Sequence, residues 1–281
     1  MISKDAVWLI TGSSRGLGRA IAEKVLAAGY RAVLTARHTD QLKDFVAKHG
    51  EAVLVTPLDV TKPAQIDAAY KAARDRFGRI DVLVNNAGYG YLGAIEEGED
   101  AEMRAIFETD LFAPVNLIKT VLPGMRERRQ GHIVNISSIG GLVTYPGVGY
   151  YHMVKFGLEA MSETLAKEVA GLGIGVTVVA PGAFRTDFRG PESMKFSSTV
   201  IEDYNDTAGK SREGTAAGHR KQAGDPARGA TAIIKAVEAE RPPVHLLIGS
   251  DALDQLRKKL DEMRAETDAW EQVSRSTDFQ E

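Results

Sequence analysis

The sequence predicts an α/β protein of the Rossmann type, with a doubly wound, seven-stranded parallel sheet and helices on both faces. Two observations lead to this prediction. Short apolar segments alternate with longer segments of helical periodicity as far as about Gly249, and the short segments are nearly continuous in Val, Ile, Leu and Ala. That composition is typical of strands buried on both faces of a parallel sheet. Strand–helix alternation is typical of right-handed βαβ crossovers.

The predicted elements follow one another along a single segment. No repeat or linker divides the series, so we expect residues 1–249 to form one Rossmann-fold domain. The seven predicted strands are Ala6–Thr11, Arg31–Thr35, Ala52–Thr56, Asp81–Asn85, His132–Ser137, Gly175–Ala180 and Val244–Ile248. The predicted helices are Arg15–Ala28, Asp40–His49, Pro63–Phe77, about Ala101–Arg128 and Tyr150–Ala170.

Two segments fall outside the alternating pattern. Phe184–Gly224 is rich in Gly, Ser, Thr and charge, and a long irregular stretch of this kind is usually a lid over a binding site, with a tolerated insertion as the alternative. Residues 250–281 predict a C-terminal helix that Ser250 or Asp251 caps, and a loose tail after Trp270. We expect the apolar stripe of this helix to dock on the body of the protein; the stripe consists of Leu253, Leu256, Leu260 and Met263.

Composition narrows the classes of function. The chain has 281 residues, a formal net charge of −3 and no cysteine. This charge gives no attraction to nucleic acid or to an anionic membrane. The lack of thiols excludes disulfides, thiolate catalysis and cysteine-ligated metals, and we expect no metal site. The first strand begins by Ala6, which leaves no room for a signal peptide, and no apolar run approaches membrane-spanning length, so we expect a cytoplasmic protein.

A glycine-rich turn follows the first strand and opens into a helix. Glycines permit a tight turn and a close approach of the backbone to a pyrophosphate, and the helix N-terminus offers N–H groups to the phosphates. At the carboxyl edge of the first βα unit, this turn predicts a dinucleotide site. The residues expected to contact the cofactor are Gly12, Ser14, Arg15, Gly16, Leu17 and Gly18.

The end of the second strand indicates which dinucleotide binds. An NAD site usually has an acidic residue here, which accepts from the ribose 2′-hydroxyl. This sequence has Arg37 instead, and no acid before Asp40. Arg37 and Arg15 are both placed to pair with a 2′-phosphate, and such charge-assisted contacts are strong. We therefore expect NADP(H) rather than NAD; two solvated surface arginines are the alternative.

Six motifs, in this order along the chain, resemble those of the short-chain dehydrogenase/reductase family in its single-domain branch. The resemblance extends from Ala6 to about Gly249. After the glycine-rich turn, the motifs are Leu58-Asp59-Val60, Asn85-Asn86-Ala87-Gly88, Asn135-Ile136-Ser137-Ser138, Tyr151 with Lys155, and Pro181-Gly182 with Thr186. The resemblance implies that the Asp59–Val60 segment binds the adenine and that Asn86, Ala87 and Gly88 line the cofactor cleft. It also implies that Pro181, Gly182 and Thr186 contact the nicotinamide, and that Tyr151 and Lys155 border its ribose.

The pair Tyr151 and Lys155 also has a chemical rationale. Residues four apart on a helix share one face. A phenol is a poor base at neutral pH, and a fixed ammonium beside it lowers its pKa. Ser138 follows the fifth predicted strand at the same sheet edge, where its hydroxyl can donate to a carbonyl oxygen. We therefore expect Ser138, Tyr151 and Lys155 to be catalytic, with Tyr151 as the acid/base.

One position departs from the family pattern. The family usually has an asparagine in the long helix before the Ser138 strand, and this sequence has Asp110 there, followed by Pro114. Because proline has no N–H, the carbonyl of Asp110 is expected to be left free at a kink. The resemblance implies that this carbonyl holds a water that links Lys155 to solvent. We therefore expect Asp110 to act in catalysis through its backbone, with a simple packing kink as the alternative.

These expectations combine into a function. The sequence predicts an NADPH-dependent oxidoreductase that interconverts a carbonyl and a secondary alcohol, with a fairly apolar substrate in a pocket walled by Tyr89–Leu92, Ile139–Tyr145 and the lid. An NADP-dependent epimerase or dehydratase is one alternative, and a non-catalytic NADP-sensing protein is another. The family resemblance further implies a homodimer or homotetramer that pairs through the long central helices.

Overall fold

The computed structural model describes residues 2–218 and 220–279, and these form a seven-stranded, wholly parallel sheet. The strand order is β3-β2-β1-β4-β6-β7-β9, so the direction of strand addition reverses between β1 and β4. All seven predicted strands are present, and the predicted fold class is confirmed. The strands are β1 Val7–Ile10, β2 Arg31–Ala36, β3 Val53–Pro57, β4 Val82–Asn85, β6 Gly131–Ile136, β7 Ile174–Pro181 and β9 His245–Ile248.

Helices cover both faces of the sheet and bury two apolar cores. On one face, Ile21 and Val25 pack with Ile233 and Val237 against the sheet. On the other face the core includes Ile66, Leu117, Val121 and Leu165. The helices are α1 Gly16–Ala27, α2 Lys43–His49, α3 Pro63–Phe77, α4 Asp100–Phe107, α5 Ala113–Arg128, α6 Gly149–Val169, α7 Lys210–Ala217, α8 Pro226–Glu238, α9 Ser250–Ala269 and α10 Glu271–Arg275.

The helix α8 was missed by the sequence analysis, although its start carries a clear signal. The carboxylate of Asp225 accepts hydrogen bonds from the N–H groups of Ala227 and Arg228, at 2.8 and 3.4 Å. Pro226 stands at the first helical position, where its fixed φ and missing N–H are tolerated. A capping Asp followed by Pro is therefore the pattern that predicts this helix.

The predicted break before Pro114 has a defined form. The helix is not simply broken at this point. Instead, Glu108–Phe112 makes one π-helical turn between α4 and α5, and the N–H of Ala113 donates to the carbonyl of Glu108. Single π-helical turns inside α-helices occur frequently at functional sites. Asp110 lies in the middle of this turn and is buried.

The segment Phe184–Gly224 has more regular structure than the sequence predicts. It contains β8, Met194–Phe196, which pairs in parallel with β5, Gly90–Leu92, to form a second, two-stranded sheet. It also contains the helix α7. The β5–β8 pairing fixes this segment to the loop that follows β4.

The expectation that the apolar stripe of the C-terminal helix docks on the body is wrong. Leu256 packs against the body, but Leu253 is 42% exposed, Leu260 55% and Met263 50%. The expected cap is also absent: Gly249 occupies the N-cap with a φ of 100°, and neither Ser250 nor Asp251 caps the helix. The short helix α10 follows Trp270, and residues 280 and 281 lie outside the described part of the chain. Within the described ranges, no helix is both long and apolar enough to cross a membrane.

Candidate active site

Three predicted catalytic side chains meet beside the carboxyl end of β6. Tyr151 and Lys155 lie one turn apart on α6, and Ser138 follows the strand. The Ser138 hydroxyl accepts from the N–H of Gly140 at 3.0 Å and lies close enough to the Tyr151 phenol to lower its pKa. The Lys155 ammonium lies 5.5 Å from the centre of the Tyr151 ring and donates to the carbonyl of Ile136 at 3.2 Å. The structure thus brings together the three side chains on which the sequence argument relied.

Asp110 joins this group through its side chain. Its Oδ2 atom lies 3.2 Å from the Nζ of Lys155, and its Oδ1 accepts from the N–H of Tyr89 at 3.2 Å. A Cβ atom on Gly88 would come within 2.6 Å of the same carboxylate, so the pairing requires glycine at that position. From the sequence, Asp110 is expected to act through its backbone. The contact of its carboxylate with Lys155 was not predicted, because the direction of the side chain depends on the π-helical turn.

The charges of this pair are set by burial and contact. Burial raises the pKa of the Asp110 carboxyl, while the Lys155 ammonium and the Tyr89 amide favour its ionised form. For Lys155, burial acts to lower the pKa, but the charges of Asp110 and Tyr151 outweigh it and the pKa is raised. Lys155 is therefore held as a buried ammonium, beside an Asp110 carboxyl whose pKa is raised overall because its burial outweighs these contacts.

The pKa of Tyr151 moves opposite to the sequence expectation. Burial raises it, Lys155 and the Ser138 hydrogen bond lower it, and the charge of Asp110 raises it again. The net direction is upward. Lys155 acts with the expected sign, but Asp110 offsets part of its charge and the burial of the phenol dominates. The phenol is thus stabilised in its protonated form.

The glycine-rich turn after β1 forms a tight cradle. Gly12 and Gly16 have φ values of 66° and 58°, which favour glycine. The Asn86 side chain donates to the carbonyls of Thr11 and Gly12, at 2.9 and 3.1 Å, and a Cβ on Gly18 would collide with that amide. Arg15 occupies the N-cap of α1, and in the described structure its side chain accepts no hydrogen bond from the helix. The first N–H groups of α1 therefore remain available to an anion. This geometry fits a pyrophosphate.

The two arginines expected at the 2′-phosphate differ in their contacts. Arg37 follows β2 and is exposed, and it forms no ion pair with any residue in the described ranges. Arg15 instead forms an ion pair with the Glu192 carboxylate and donates to the Glu192 carbonyl at 3.0 Å. Glu192 belongs to the Phe184–Gly224 segment, so Arg15 links the glycine-rich turn to that segment.

Asp59 and Val60 follow β3 at the same edge of the sheet. The Asp59 carboxylate accepts from the N–H and the hydroxyl of Thr61, at 3.0 and 2.8 Å. Burial alone would raise the pKa of this carboxyl, but the Thr61 hydrogen bonds and the charges of Lys62 and Arg37 lower it. Arg37 therefore lies close enough to Asp59 to lower the pKa of its carboxyl.

Pro181 ends β7, and the loop that follows carries Gly182 and Thr186. A residue that was not predicted for this site, Asp251, holds the loop in place. The Asp251 carboxylate accepts from the N–H of Ala183 at 2.7 Å and packs so closely against Gly182 that any side chain there would collide with it. Asp251 was expected to cap α9. Its carboxylate instead fixes this loop. The available signal in the sequence was that Asp251 lies at the start of the helix after the last strand, at the same edge of the sheet as the loop after β7.

The Phe184–Gly224 segment lies over the candidate catalytic residues. The ring of Phe188 is 6.1 Å from that of Tyr151, centre to centre. Farther along, Arg212 donates to the buried carboxylate of Glu97 at 2.5 Å. Burial acts to raise the pKa of Glu97, but Arg212 and the N–H groups of Ile201 and Ala94 lower it to about 2. The ion pair anchors the segment to the loop after β5.

A Rossmann-type sheet with this turn and this Ser–Tyr–Lys set defines a class of nicotinamide-dependent oxidoreductases. The chain belongs to the short-chain dehydrogenase family, whose sequence pattern it matches over residues 6–195. It is 39% identical to the oxidoreductase BOA17 of Botryotinia fuckeliana over 269 residues, which cover 95% of this chain and 97% of that protein. The family resemblance seen in the sequence is confirmed.

Solved structures agree with this assignment. A short-chain dehydrogenase from Streptomyces avermitilis is 45% identical, with a TM-score of 0.92, and the match covers 98% of this chain and all of that one (100%). A Burkholderia phymatum member of the family, solved with NAD, is 25% identical, with a TM-score of 0.83 over 95% of this chain and 97% of that one. The protein is an oxidoreductase of this family.

Proposed function

We propose that the protein is an NADPH-dependent reductase that interconverts a ketone or aldehyde with the corresponding alcohol, with Tyr151 as its acid/base. The observation that carries this proposal is the convergence of Ser138, Tyr151 and Lys155 at the carboxyl edge of the sheet, where α/β folds of this type bind ligands. The Ser138 hydroxyl lies close enough to the Tyr151 phenol to lower its pKa, and the buried ammonium of Lys155 lies 5.5 Å from the centre of the ring.

The side chains have distinct roles in the proposed reduction. NADPH held beside Tyr151 and Lys155 would supply a hydride, one proton with two electrons, to the carbonyl carbon and would be left as NADP+. The hydroxyls of Ser138 and Tyr151 hold the carbonyl oxygen, and Tyr151 transfers its proton to that oxygen as the C=O π bond breaks. The resulting phenolate is stabilised by the Lys155 ammonium and takes a proton back from solvent. Because the pKa of Tyr151 is raised, the phenol is protonated at neutral pH, which suits reduction.

The preference for NADPH rests on Arg37. It is exposed at the end of β2 and unpaired among the described residues, so its guanidinium can take a 2′-phosphate without first losing a partner. Arg15 can add a second contact only by leaving Glu192. The remaining proposed cofactor contacts are the turn residues Gly12, Ser14, Gly16, Leu17 and Gly18, the segments Asp59–Val60 and Asn86–Gly88, Tyr151 and Lys155, and Pro181, Gly182 and Thr186.

The proposed substrate is a small and fairly apolar carbonyl compound. Phe188 faces Tyr151 from the lid, and Tyr89 and Tyr151 belong to one partly buried aromatic cluster. Such rings favour apolar groups beside the reacting carbonyl. We propose that residues 184–224 act as a lid of a single catalytic domain, residues 1–249, and that closure excludes water from the hydride transfer.

The proposed assembly follows from the same family membership. Phe112, Met153 and Phe156 expose apolar side chains on the central helical region, which supports a homodimer or homotetramer that pairs there. A cytoplasmic location stays a prediction.

The test is to follow NADPH absorbance with a panel of ketones and aldehydes, and to repeat it with NADH. Stoichiometric NADPH oxidation with alcohol formation supports the proposal. Conversion of a substrate without net change in NADPH would indicate an epimerase or dehydratase. Tight NADPH binding with no turnover across the panel would indicate a cofactor-sensing protein.

A further inference from the structure

The helix α9 leaves the body of the protein after Leu256. From Arg257 to Phe279, none of the described residues is buried. The exposed side chains include Leu260, Met263, Trp270 and Val273, at 55, 50, 62 and 54%. The unpacked part of the helix is short enough to be marginal in water on its own. Its exposed ion pairs, such as Lys258–Glu262 at 3.8 Å, add little stability. The helix therefore lacks the tertiary packing that normally stabilises one.

The apolar side chains of α9 form a seam with a heptad repeat. The spacing alternates between three and four residues, which is the a/d pattern of a helix that packs along its whole length against another helix. Near its far end, a shallow cleft opens on the same side of the helix between Met263 and Trp270. The seam consists of Leu253, Leu256, Leu260, Met263, Thr267 and Trp270.

We propose that α9 pairs in antiparallel orientation with α9 of a second copy of this chain. The seam is apolar at every position except Thr267, whose hydroxyl is satisfied by the Met263 carbonyl at 2.7 Å, so it can pack against itself. Two-fold pairing of identical surfaces is the commonest form of self-association. A membrane surface is a poor alternative, because residues 250–275 carry seven acidic and five basic side chains, and anionic lipid attracts basic segments.

The charges beside the seam select the antiparallel orientation. In a parallel pair, Lys259 would face the Arg264 of the second copy, and Glu266 would face its Glu271, so all four flanking contacts would be repulsive. An antiparallel pair centred between Leu260 and Met263 places Lys259 beside the Glu266 of the second copy, twice by symmetry. Arg257 and Arg264 approach each other in this register, so two attractive contacts stand against two repulsive ones. The antiparallel arrangement is the better of the two.

This interface is separate from the central helical region, so its loss should halve the mass of the assembly without affecting turnover. The experiment compares Leu260→Glu with Ala265→Glu in the full-length chain, by sedimentation equilibrium. Ala265 is exposed on the opposite side of the same helix, so both variants add one carboxylate to α9. We expect the Leu260→Glu variant to sediment with half the mass of the unmodified protein and the Ala265→Glu variant to keep the full mass. Three results would overturn the proposal: a monomeric unmodified chain, a Leu260→Glu variant that keeps the full mass, or equal dissociation of both variants.

Charge reversal tests the orientation. In the antiparallel pair, Lys259→Glu alone should weaken association, and adding Glu266→Lys should restore it. In a parallel pair Lys259→Glu would instead strengthen association, by pairing with Arg264, and this result would overturn the proposed orientation. Trp270 gives an independent readout, because the other tryptophan, Trp8, is fully buried. Dilution of the unmodified protein should shift the Trp270 emission to the red as the seam is exposed, and an emission that is independent of concentration over the dissociation range would contradict its place in the seam.

Discussion

The Asp110 carboxylate lies 3.2 Å from the Lys155 ammonium, and both groups are buried. This contact changes the electrostatics of the candidate site. The Lys155 ammonium favours the Tyr151 phenolate, and the Asp110 carboxylate beside it offsets part of that effect. The π-helical turn Glu108–Phe112 carries the carboxylate, and Gly88 leaves room for it. An asparagine in the same place would keep a hydrogen-bonding oxygen but remove the charge.

We expect Asp110→Asn to shift the pH profile of catalysis to lower pH. The carboxylate acts to raise the pKa of Tyr151, so its removal should lower that pKa. Oxidation of an alcohol needs the phenolate and should rise at lower pH than in the unmodified enzyme. Reduction needs the protonated phenol. As the pH increases, the variant should therefore lose reductase activity at a lower pH than the unmodified enzyme does. The profiles of kcat in both directions measure the shift, with Asp75→Asn on the exposed face of α3 as the control.

The backbone hypothesis for Asp110 makes a different prediction. If its carbonyl supplies the proton relay, Asp110→Asn should change kcat only a few-fold, whereas Pro114→Ala should restore a regular α-helix and slow proton delivery. A solvent isotope effect on kcat that increases in Pro114→Ala would favour the backbone. A silent Pro114→Ala variant, together with a shifted profile in Asp110→Asn, would assign the function to the carboxylate.

The Tyr151→Phe variant should lower kcat by roughly 10²–10⁴-fold, the usual loss when a general acid is removed. Binding of NADPH should survive, since the phenol is not its main anchor. Tyr150→Phe is the matched control, because its hydroxyl donates to the carbonyl of Ile95, at 2.9 Å, and does not contact Ser138. Single-turnover rates and NADPH titrations separate the two effects. Near-normal turnover by Tyr151→Phe would place the acid on another residue.

The sequence predicted the sheet and the meeting of Ser138, Tyr151 and Lys155 for a physical reason. Buried parallel strands are almost wholly apolar, so their positions are visible in the sequence, and side chains after parallel strands must meet at one edge. Ser138, Tyr151 and Lys155 therefore came together as expected. The family motifs are recognised by their order along the chain, and this order can be seen without knowing any distance in the fold.

The remaining features depend on contacts that periodicity cannot supply. The stripe on α9 indicates that a face should be covered, but not what covers it, and the body of the protein leaves Leu260 and Met263 exposed. Asp251 stands where a capping residue is common, yet its carboxylate turns toward Ala183, sixty-eight positions earlier in the chain. The pKa of Tyr151 depends on the balance between burial and two opposite charges, Lys155 and Asp110.

The Arg37→Asp variant should lose its preference for NADPH over NADH. The new carboxylate repels a 2′-phosphate and can accept from a 2′-hydroxyl, as acidic residues at this position do in NAD sites. The ratio of kcat/KM for the two cofactors is the measurement, and Arg228→Asp, on the exposed start of α8, is the control. Comparable kcat/KM values for both cofactors in the unmodified protein would refute the assignment of Arg37.

The lid proposal predicts protection by ligands. Residues 184–224 should be cleaved readily by protease in the ligand-free protein and protected by NADPH with substrate. Arg212→Gln should speed cleavage further, because it leaves the buried Glu97 carboxylate without its cation. Adding Glu97→Gln should reverse part of this effect by removing the unpaired charge. Equal protection with and without ligands would favour a static insertion.

Asp251 should hold the loop after β7 in the shape that the nicotinamide requires. Asp251→Ala removes the acceptor of the Ala183 N–H and opens a space beside Gly182. A hydrogen bond to a charged group is worth about 1.5–3 kcal/mol, so we expect a loss of that order in the free energy of unfolding and a several-fold increase in the Kd of NADPH. Asp254→Ala, one turn along α9 and exposed, is the control for a general effect on the helix. Bound NADPH should recover part of the lost stability, because the cofactor binds only the ordered loop. A variant that loses stability but binds NADPH as tightly as the unmodified protein would show that Asp251 anchors α9 to the sheet and does not shape the cofactor site.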